Sequence, residues 1–270
     1  MSEAESEPEF QALATFVEDE MSFATSHYND SYLKRRFTSR IRRTDTEDFG
    51  DYHELLASSE EERQALLDAL SINVTGFFRN PDVWEGIRGH LRELFEERSI
   101  VRAWSAACAD GREPYSLSLL AHDDPRCDPQ RIRIRATDIN DESLNHAREG
   151  VYENTRTVDV GEQLQFLSNY HSYVDRSGDQ FRMRQAIKAP IHFEKHDLIN
   201  DESKSEFDLV MCRNLFIYID NEYKQPVLST IAESMRSGGY LVIGKAETIP
   251  PALQSAFSVV DSKLRIYERA

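Results

Sequence analysis

The chain has 270 residues and a formal charge of −16, from 48 acidic and 32 basic side chains, and it is 40% apolar and 10% aromatic. That length and apolar content support one large or two modest domains with real cores and exclude a disordered chain. The charge opposes binding to nucleic-acid phosphates, no run approaches the ~20 apolar residues of a membrane span, and the acidic residues 1–9 are unlike a signal peptide, so the protein is read as cytoplasmic.

Residues 1–9 form an acidic tail. From 10 to about 70 the apolar residues recur at helical spacing, with Phe10, Leu13, Phe16 and Val17 on one face and Leu55, Leu56, Leu66, Leu67 and Leu70 on later helices. This predicts a small all-helical domain over 1–72. Within it YLKRRFTSRIRR, residues 32–43, gathers Lys34, Arg35, Arg36, Arg40, Arg42 and Arg43 around Tyr32, Leu33, Phe37 and Ile41. The apolar members fall at three- and four-residue steps, so one face packs while the rest stays basic. That basic face is either solvated or a surface for an acidic partner.

Residues 71–79, SINVTGFFR, close the helical region. Asn73 and Thr75 favour turns and caps, and Phe77 and Phe78 need burial, so Arg79 is held beside an aromatic pair. An amphipathic helix over 81–95 leads to an apolar strand at 101–107. Ala109, Asp110 and Gly111 then make a bend with little side-chain bulk, and Pro114 fits the first turn of a helix that continues through 115–121. Strand, small-residue loop and helix make a ligand crevice at the carboxyl edge of a parallel sheet. The single glycine matches neither G-x-G-x-x-G nor a phosphate-cradling loop.

A second strand, 131–137, ends in Asp138. An acid there accepts from both hydroxyls of a ribose or caps the helix begun by DINDESLNHA, a task that Asn140 or Asp141 fills equally well. Residues 151–190 break the alternation: a helical piece near 161–169 and β-like runs at 171–174 and 180–184, with turn residues at 175–178, predict an inserted hairpin. Strands resume at 191–194, before Asp197 and Leu198, and at 207–212, before Arg213, Asn214 and Tyr218. A helix over about 222–235, a turn at 237–239, a strand at 240–244 and closing runs at 257–260 and 264–267 follow. The expected fold is α/β, a doubly wound sheet of seven strands with an antiparallel edge, over 73–270, with an inserted antiparallel β subdomain at about 168–190. Cys108, Cys127 and Cys212 lie far apart without a C-x-x-C pair, which opposes disulfides and a structural zinc and predicts buried thiols; no metal is expected. Seven lysines against a dispersed acidic background resemble the composition of proteins from salt-loving organisms.

Six stretches, YLKRRFTSRIRR, NVTGFFR, WSAACADGREPYSLSLL, ATDINDESLNHAREGVY, FDLVMCRNLFIYID and SGGYLVIGKAE, occur in the order found in chemoreceptor glutamate O-methyltransferases of the CheR type. Over nearly its whole length the chain resembles that family, here in a halophilic, archaeal style. The resemblance implies the S-adenosylmethionine-dependent methyltransferase fold, S-adenosyl-L-methionine as methyl donor and a receptor glutamate side chain as acceptor. It implies that Asn73, Thr75 and Arg79 border the methionine end of the cofactor, that Glu113 lies beside it and that Asp138 takes the ribose. Asp197 and Leu198 then flank the adenine, and Cys212 and Arg213 complete the floor. Asp197 stands where the family often has asparagine, and Ala109 with Asp110 replaces a more usual Ser-Thr pair.

A glutamate carboxylate is ionised at neutral pH, so the reaction needs positioning and partial dehydration and no Ser/His/Asp set. Arg79 offers a two-pronged match to such a carboxylate and Tyr218 a phenolic hydrogen bond; the structural alternatives are an ion-pair partner and a core residue. Arg35, Arg36, Arg40 and Arg43 are expected to dock the enzyme, as a monomer, on the acidic helical methylation region of a cytoplasmic receptor domain. The short turn near Ser177 and Gly178 argues against docking of a receptor tail. Two other functions remain open, a sensor that binds the cofactor without transferring its methyl group and a methyltransferase with another substrate. CRNLFIY in place of N-P-P-[FY] after the fourth strand opposes an amine acceptor.

Overall fold

In a computed structural model of the chain, residues 3–21, 23–70, 75–204 and 206–270 are described. The chain divides into two compact units, Met1–Ile72 with Tyr218–Tyr223, and Asn73–Ile217 with Lys224–Ala270.

The first unit is helical, with α1 (Glu3–Met21), α2 (Asp30–Thr44), α3 (Phe49–Ser58) and α4 (Glu60–Leu70). The side chain of Asn29 caps α2 by accepting from the Tyr32 N–H, and Asp48 caps α3 through the Asp51 N–H. Phe10, Leu13, Val17, Leu33, Phe37, Leu56 and Leu66 form the core that the three- and four-residue spacing requires. Beneath α2 the partly buried Arg40 makes a two-pronged ion pair with Glu62 at 2.6 Å, and the Tyr52 hydroxyl donates to the same carboxylate at 2.6 Å. A division of the chain at 72/73 leaves residues 218–223 with the sheet, whereas the structure groups them with the helices. Ile219 forms an antiparallel bridge with Tyr28, the Tyr218 carbonyl accepts from the Asn29 N–H at 3.1 Å, and the Tyr218 ring lies 5.1 Å from that of Tyr32.

The rest of the chain runs α5 (Pro81–Glu97), β1 (Val101–Ala106), α6 (Arg112–Asp123), β2 (Ile132–Asp138), α7 (Asp141–Glu149), β3 (Val151–Glu153), α8 (Val160–Leu164), β4 (Val174–Ser177) and β5 (Gln180–Met183). It continues with α9 (Gln185–Lys188), β6 (Ile191–Lys195), β7 (Phe207–Cys212), α10 (Asn221–Ser234), β8 (Met235–Ile243), β9 (Phe257–Asp261) and β10 (Ile266–Arg269). The main sheet has seven strands in the order β6-β2-β1-β7-β8-β10-β9, with β10 antiparallel to both β8 and β9. Period-two alternation divides its side chains between two cores: Ala103, Leu209, Met211, Val242 and Ile266 pack on the α5 and α6 side, and Trp104, Val210, Cys212, Leu241 and Tyr267 on the α10 side. The strand order reverses between β1 and β7, which opens a crevice at their carboxyl ends.

Three local expectations change, the first at the acidic tail, which is helical from Glu3 onwards as part of α1. The inserted element contains the expected hairpin, β4 with β5, and adds β3 as a third antiparallel strand, in the order β3-β5-β4. Residues 170–172 form a 3-10 helix, and the reversal lies between Ser177 and Gln180, with Gly178 at φ +61°. The register puts Val174, Phe181 and Met183 into the core, and β3, only three residues long, joins through Tyr152 opposite Phe181. The turn expected at 237–239 is an irregularity inside β8, between the Met235–Phe207 and Tyr240–Leu209 pairs. A Cβ on Gly239 would sit 3.1 Å from the carbonyl oxygens of Phe207 and Asp208, so glycine permits the strands to stay together there.

Candidate functional site

The β1-to-α6 loop lies at the point of strand reversal. Ala107 (φ +57°), Ala109 (φ +48°) and Gly111 (φ +88°) all have positive φ, at every second position of the loop. Two of the three are not glycine, at a cost of roughly 1–2 kcal/mol each, so other parts of the fold must hold the loop. The Cys108 N–H donates to the Thr137 carbonyl at 2.8 Å and the Ala109 N–H to Asp138 Oδ2 at 2.7 Å. Asp138 Oδ1 accepts from the Asn140 N–H at 3.0 Å, and Asn140 itself caps α7 by accepting from the Ser143 N–H at 2.7 Å. Asn140 therefore takes the capping task, and the Asp138 carboxylate faces the loop. Burial pushes the Asp138 carboxyl above its ordinary range, against the backbone donors of Asn140 and Ala109.

A second cluster joins β1, α6 and β7. Glu113 accepts from the Ser105 hydroxyl at 2.8 Å and pairs with Arg213 at 3.5 Å. Arg213 also donates to the Arg79 carbonyl at 2.8 Å and to Asn80 Oδ1 at 3.0 Å, which brings the 75–80 segment to the same place. Burial raises the Glu113 pKa, opposed first by Arg213 and further by Ser105 and Arg79. Burial likewise lowers that of Arg213, opposed by Glu113 and aided by the positive charge of Arg79. Glu113 is thus paired with Arg213 and further stabilised as a carboxylate by the charge of Arg79. Phe78 (φ +47°) and Asn80 (φ +59°) flank Arg79; the Phe78 N–H donates to Ser116 Oγ at 3.0 Å and its ring stacks on Phe166 at 4.4 Å.

The structure therefore brings Thr75, Arg79, Glu113, Asp138, Cys212 and Arg213 to one sheet edge. Asn73 lies outside the described residues. Leu198 is buried in the core with Trp104, and the Asp197 carboxylate closes its own turn on the N–H groups of Ile199 and Asn200 and the Asn200 side chain. Tyr218 belongs to the helical unit. On α2, Arg35 and Arg43 are exposed and Arg36 is half-buried with its guanidinium 5.1 Å from the centre of the Tyr32 ring, while Arg40 is engaged by Glu62. Cys108, Cys127 and Cys212 are free, buried thiols; burial raises all three pKa values, that of Cys127 to about 11.

Sequence reasoning missed Ser105 and Glu247. Glu247, 3% exposed, accepts from the N–H groups of Gly244, Asn214 and Phe216 and so ties the turn after β7 to the end of β8. Neither spacing nor composition marks a lone glutamate whose partners are backbone amides. A cavity of about 440 Å³ is lined by Thr75, Arg79, Asn80, Gln163 and Phe166 among others. Among the described residues no helix is long and apolar enough to cross a membrane.

Residues 73–266 match the family model described as CheR methyltransferase, SAM binding domain, and residues 8–71 the one described as CheR methyltransferase, all-alpha domain. The chain is 30% identical over 245 residues to the chemotaxis protein methyltransferase of Listeria monocytogenes, covering 90% of this chain and 91% of that protein. It is 28% identical to the Escherichia coli protein of the same name, covering 90% and 85%. For that of Borreliella burgdorferi the figures are 27%, 89% and 88%.

Proposed function

Because this chain belongs to the CheR methyltransferase family and so uses S-adenosylmethionine, we propose that it methylates glutamate side chains of chemotaxis receptors, forming methyl esters that remove charge during adaptation. The observation that carries the reading is the coverage: helical and cofactor-binding parts both match the family, and relatives named chemotaxis protein methyltransferase align over about nine tenths of the chain. The residues at the sheet edge fit the cofactor. Asp138 is an acceptor held at the loop, Arg213 Nε is a buried donor with no partner among the described residues, and residues 107–111 carry little bulk. When bound, S-adenosylmethionine supplies a sulfonium methyl group, an electrophile that leaves a neutral thioether.

In this reading Asp138 holds the ribose, Thr75, Arg79 and Glu113 border the methionine end, a role also proposed for Asn73, which lies outside the described residues, and Arg213 helps to complete the floor. Cys212 and Leu198 line the floor, and the Asp197 turn meets the adenine through its backbone, since its carboxylate is engaged locally. The acceptor carboxylate, with an ordinary pKa of about 4.3, arrives ionised and needs no base. Arg79 would orient it by paired N–H donors towards the methyl group that the bound cofactor would supply. The exposed arginines of α2 meet the acidic receptor helix in the cytoplasm.

The test is transfer of radiolabelled methyl groups to receptor-containing membranes, followed by mild alkali. Label released as methanol marks a carboxyl ester. Alkali-stable label, or none on receptor, sinks the glutamate reading.

A further inference from the structure

We propose that Tyr152, in the inserted sheet, is a positioning residue for the cofactor loop, acting through the hydrogen bond from its hydroxyl to the Asp110 carbonyl. That bond is 2.6 Å long. The peptide plane of Asp110 and Gly111 is rigid, so holding its carbonyl also aims the Gly111 N–H, which closes the turn on the Cys108 carbonyl at 3.1 Å. The loop needs such anchors because Ala107 and Ala109 are held in the left-handed region. On the β2 side Asp138 supplies one through Ala109 and the Thr137 carbonyl another through Cys108; Tyr152 supplies a further one from the inserted sheet.

The ring is itself fixed. Tyr152 is 1% exposed, pairs with Phe181 across β3 and β5, meets Phe77 edge-on at 4.9 Å and carries the Arg112 guanidinium 5.0 Å from its centre. Burial keeps its phenol protonated far beyond neutral pH, so it remains a donor. A Cβ on Gly111 would lie 3.2 Å from the Tyr152 hydroxyl, which shows how closely the loop approaches. The same inserted region holds the other wall of the site: Gln163 of α8 accepts from the Phe77 N–H at 2.8 Å, two residues before Arg79. The insert is thus built into the cofactor site from two directions, and its Tyr152 contact bears on the loop.

Tyr152→Phe removes the hydroxyl and keeps the ring. Calorimetry with S-adenosylmethionine and S-adenosylhomocysteine should show affinity weakened about three- to tenfold, the worth of one neutral hydrogen bond. The KM for S-adenosylmethionine should rise in proportion while kcat at saturating cofactor holds. Tyr115→Phe is the control, since it removes an equally buried hydroxyl that donates to the Ala147 carbonyl at 2.7 Å and not to the loop. Its cofactor affinity should be that of the wild type. Unchanged affinity in folded Tyr152→Phe, or equal losses in both variants, overturns the proposal by reducing Tyr152 to packing. The measurement concerns the cofactor alone, so its failure leaves the glutamate reading standing, and an alkali-stable product leaves this inference standing.

Discussion

The site contrasts two residues whose removal should have different signatures. Asp138 works through its side chain: Asp138→Ala loses charge-assisted bonds worth roughly 1.5–3 kcal/mol each and frees the Ala109 N–H, so cofactor affinity should fall about tenfold or more. The backbone carbonyl of Arg79 accepts from Arg213, a contact that does not depend on the Arg79 side chain. Arg79→Ala should therefore leave the Glu113–Arg213 pair intact and lower kcat far more than it weakens cofactor binding. Calorimetry set beside steady-state kinetics separates the two; equal losses in kcat and affinity for Arg79→Ala would make it a cofactor ligand only.

At the scale of an element, α2 divides its arginines between two tasks. Arg40, with its side chain 15% exposed, is tied to Glu62, whereas Arg35 and Arg43 project into solvent. Reversing the exposed pair, Arg35→Glu with Arg43→Glu, should raise the KM for receptor about tenfold, from roughly 0.2–1 kcal/mol for each exposed charge contact, doubled on reversal. Cofactor affinity should not move. Arg40→Glu sets a second carboxylate against Glu62 and should instead destabilise the helical unit by about 3–5 kcal/mol. If the double reversal methylates receptor with unaltered kinetics at fixed salt, the basic face is only solvated.

Across the whole molecule the two units should answer acid differently. In the helical unit Glu62 is held below the ordinary carboxylate range: burial raises it, but Arg40 and Tyr52 together outweigh that. Its contribution to stability is full above the unfolded pKa of about 4.3 and is lost as pH falls through the lower folded value. In the other unit burial raises Asp110, Glu113, Asp138 and Glu247, so their folded forms take up protons more readily than the unfolded chain. Stability from these groups is present at low pH and lost as pH rises through their folded values, so acidification favours this unit; Glu194, held low, pulls the other way. The chain has two tryptophans, Trp84 and Trp104, both buried in the sheet unit. As pH drops below about 4, far-ultraviolet helix signal should therefore fall before tryptophan fluorescence changes. Coincident transitions would show that the units unfold together.

Periodicity was enough for the helical unit, for the seven-stranded sheet and for the loop beyond β1, because alternation and three- to four-residue spacing report directly which face is buried. The six family-like stretches supplied the cofactor, which no spacing in the chain specifies. Other features depended on contacts between residues far apart in the chain. Asp138 and Asn140 were equivalent capping candidates until the β1–β2 register set Asp138 against the Ala109 N–H. Arg40 was indistinguishable from its basic neighbours until α4 brought Glu62 beneath it. β3 was too short to show an alternation of its own and exists because β5 offers it a partner. Glu247 and Tyr152 hold the site through backbone amides and a carbonyl, groups that every residue carries, so no side-chain pattern could announce them before the chain was folded.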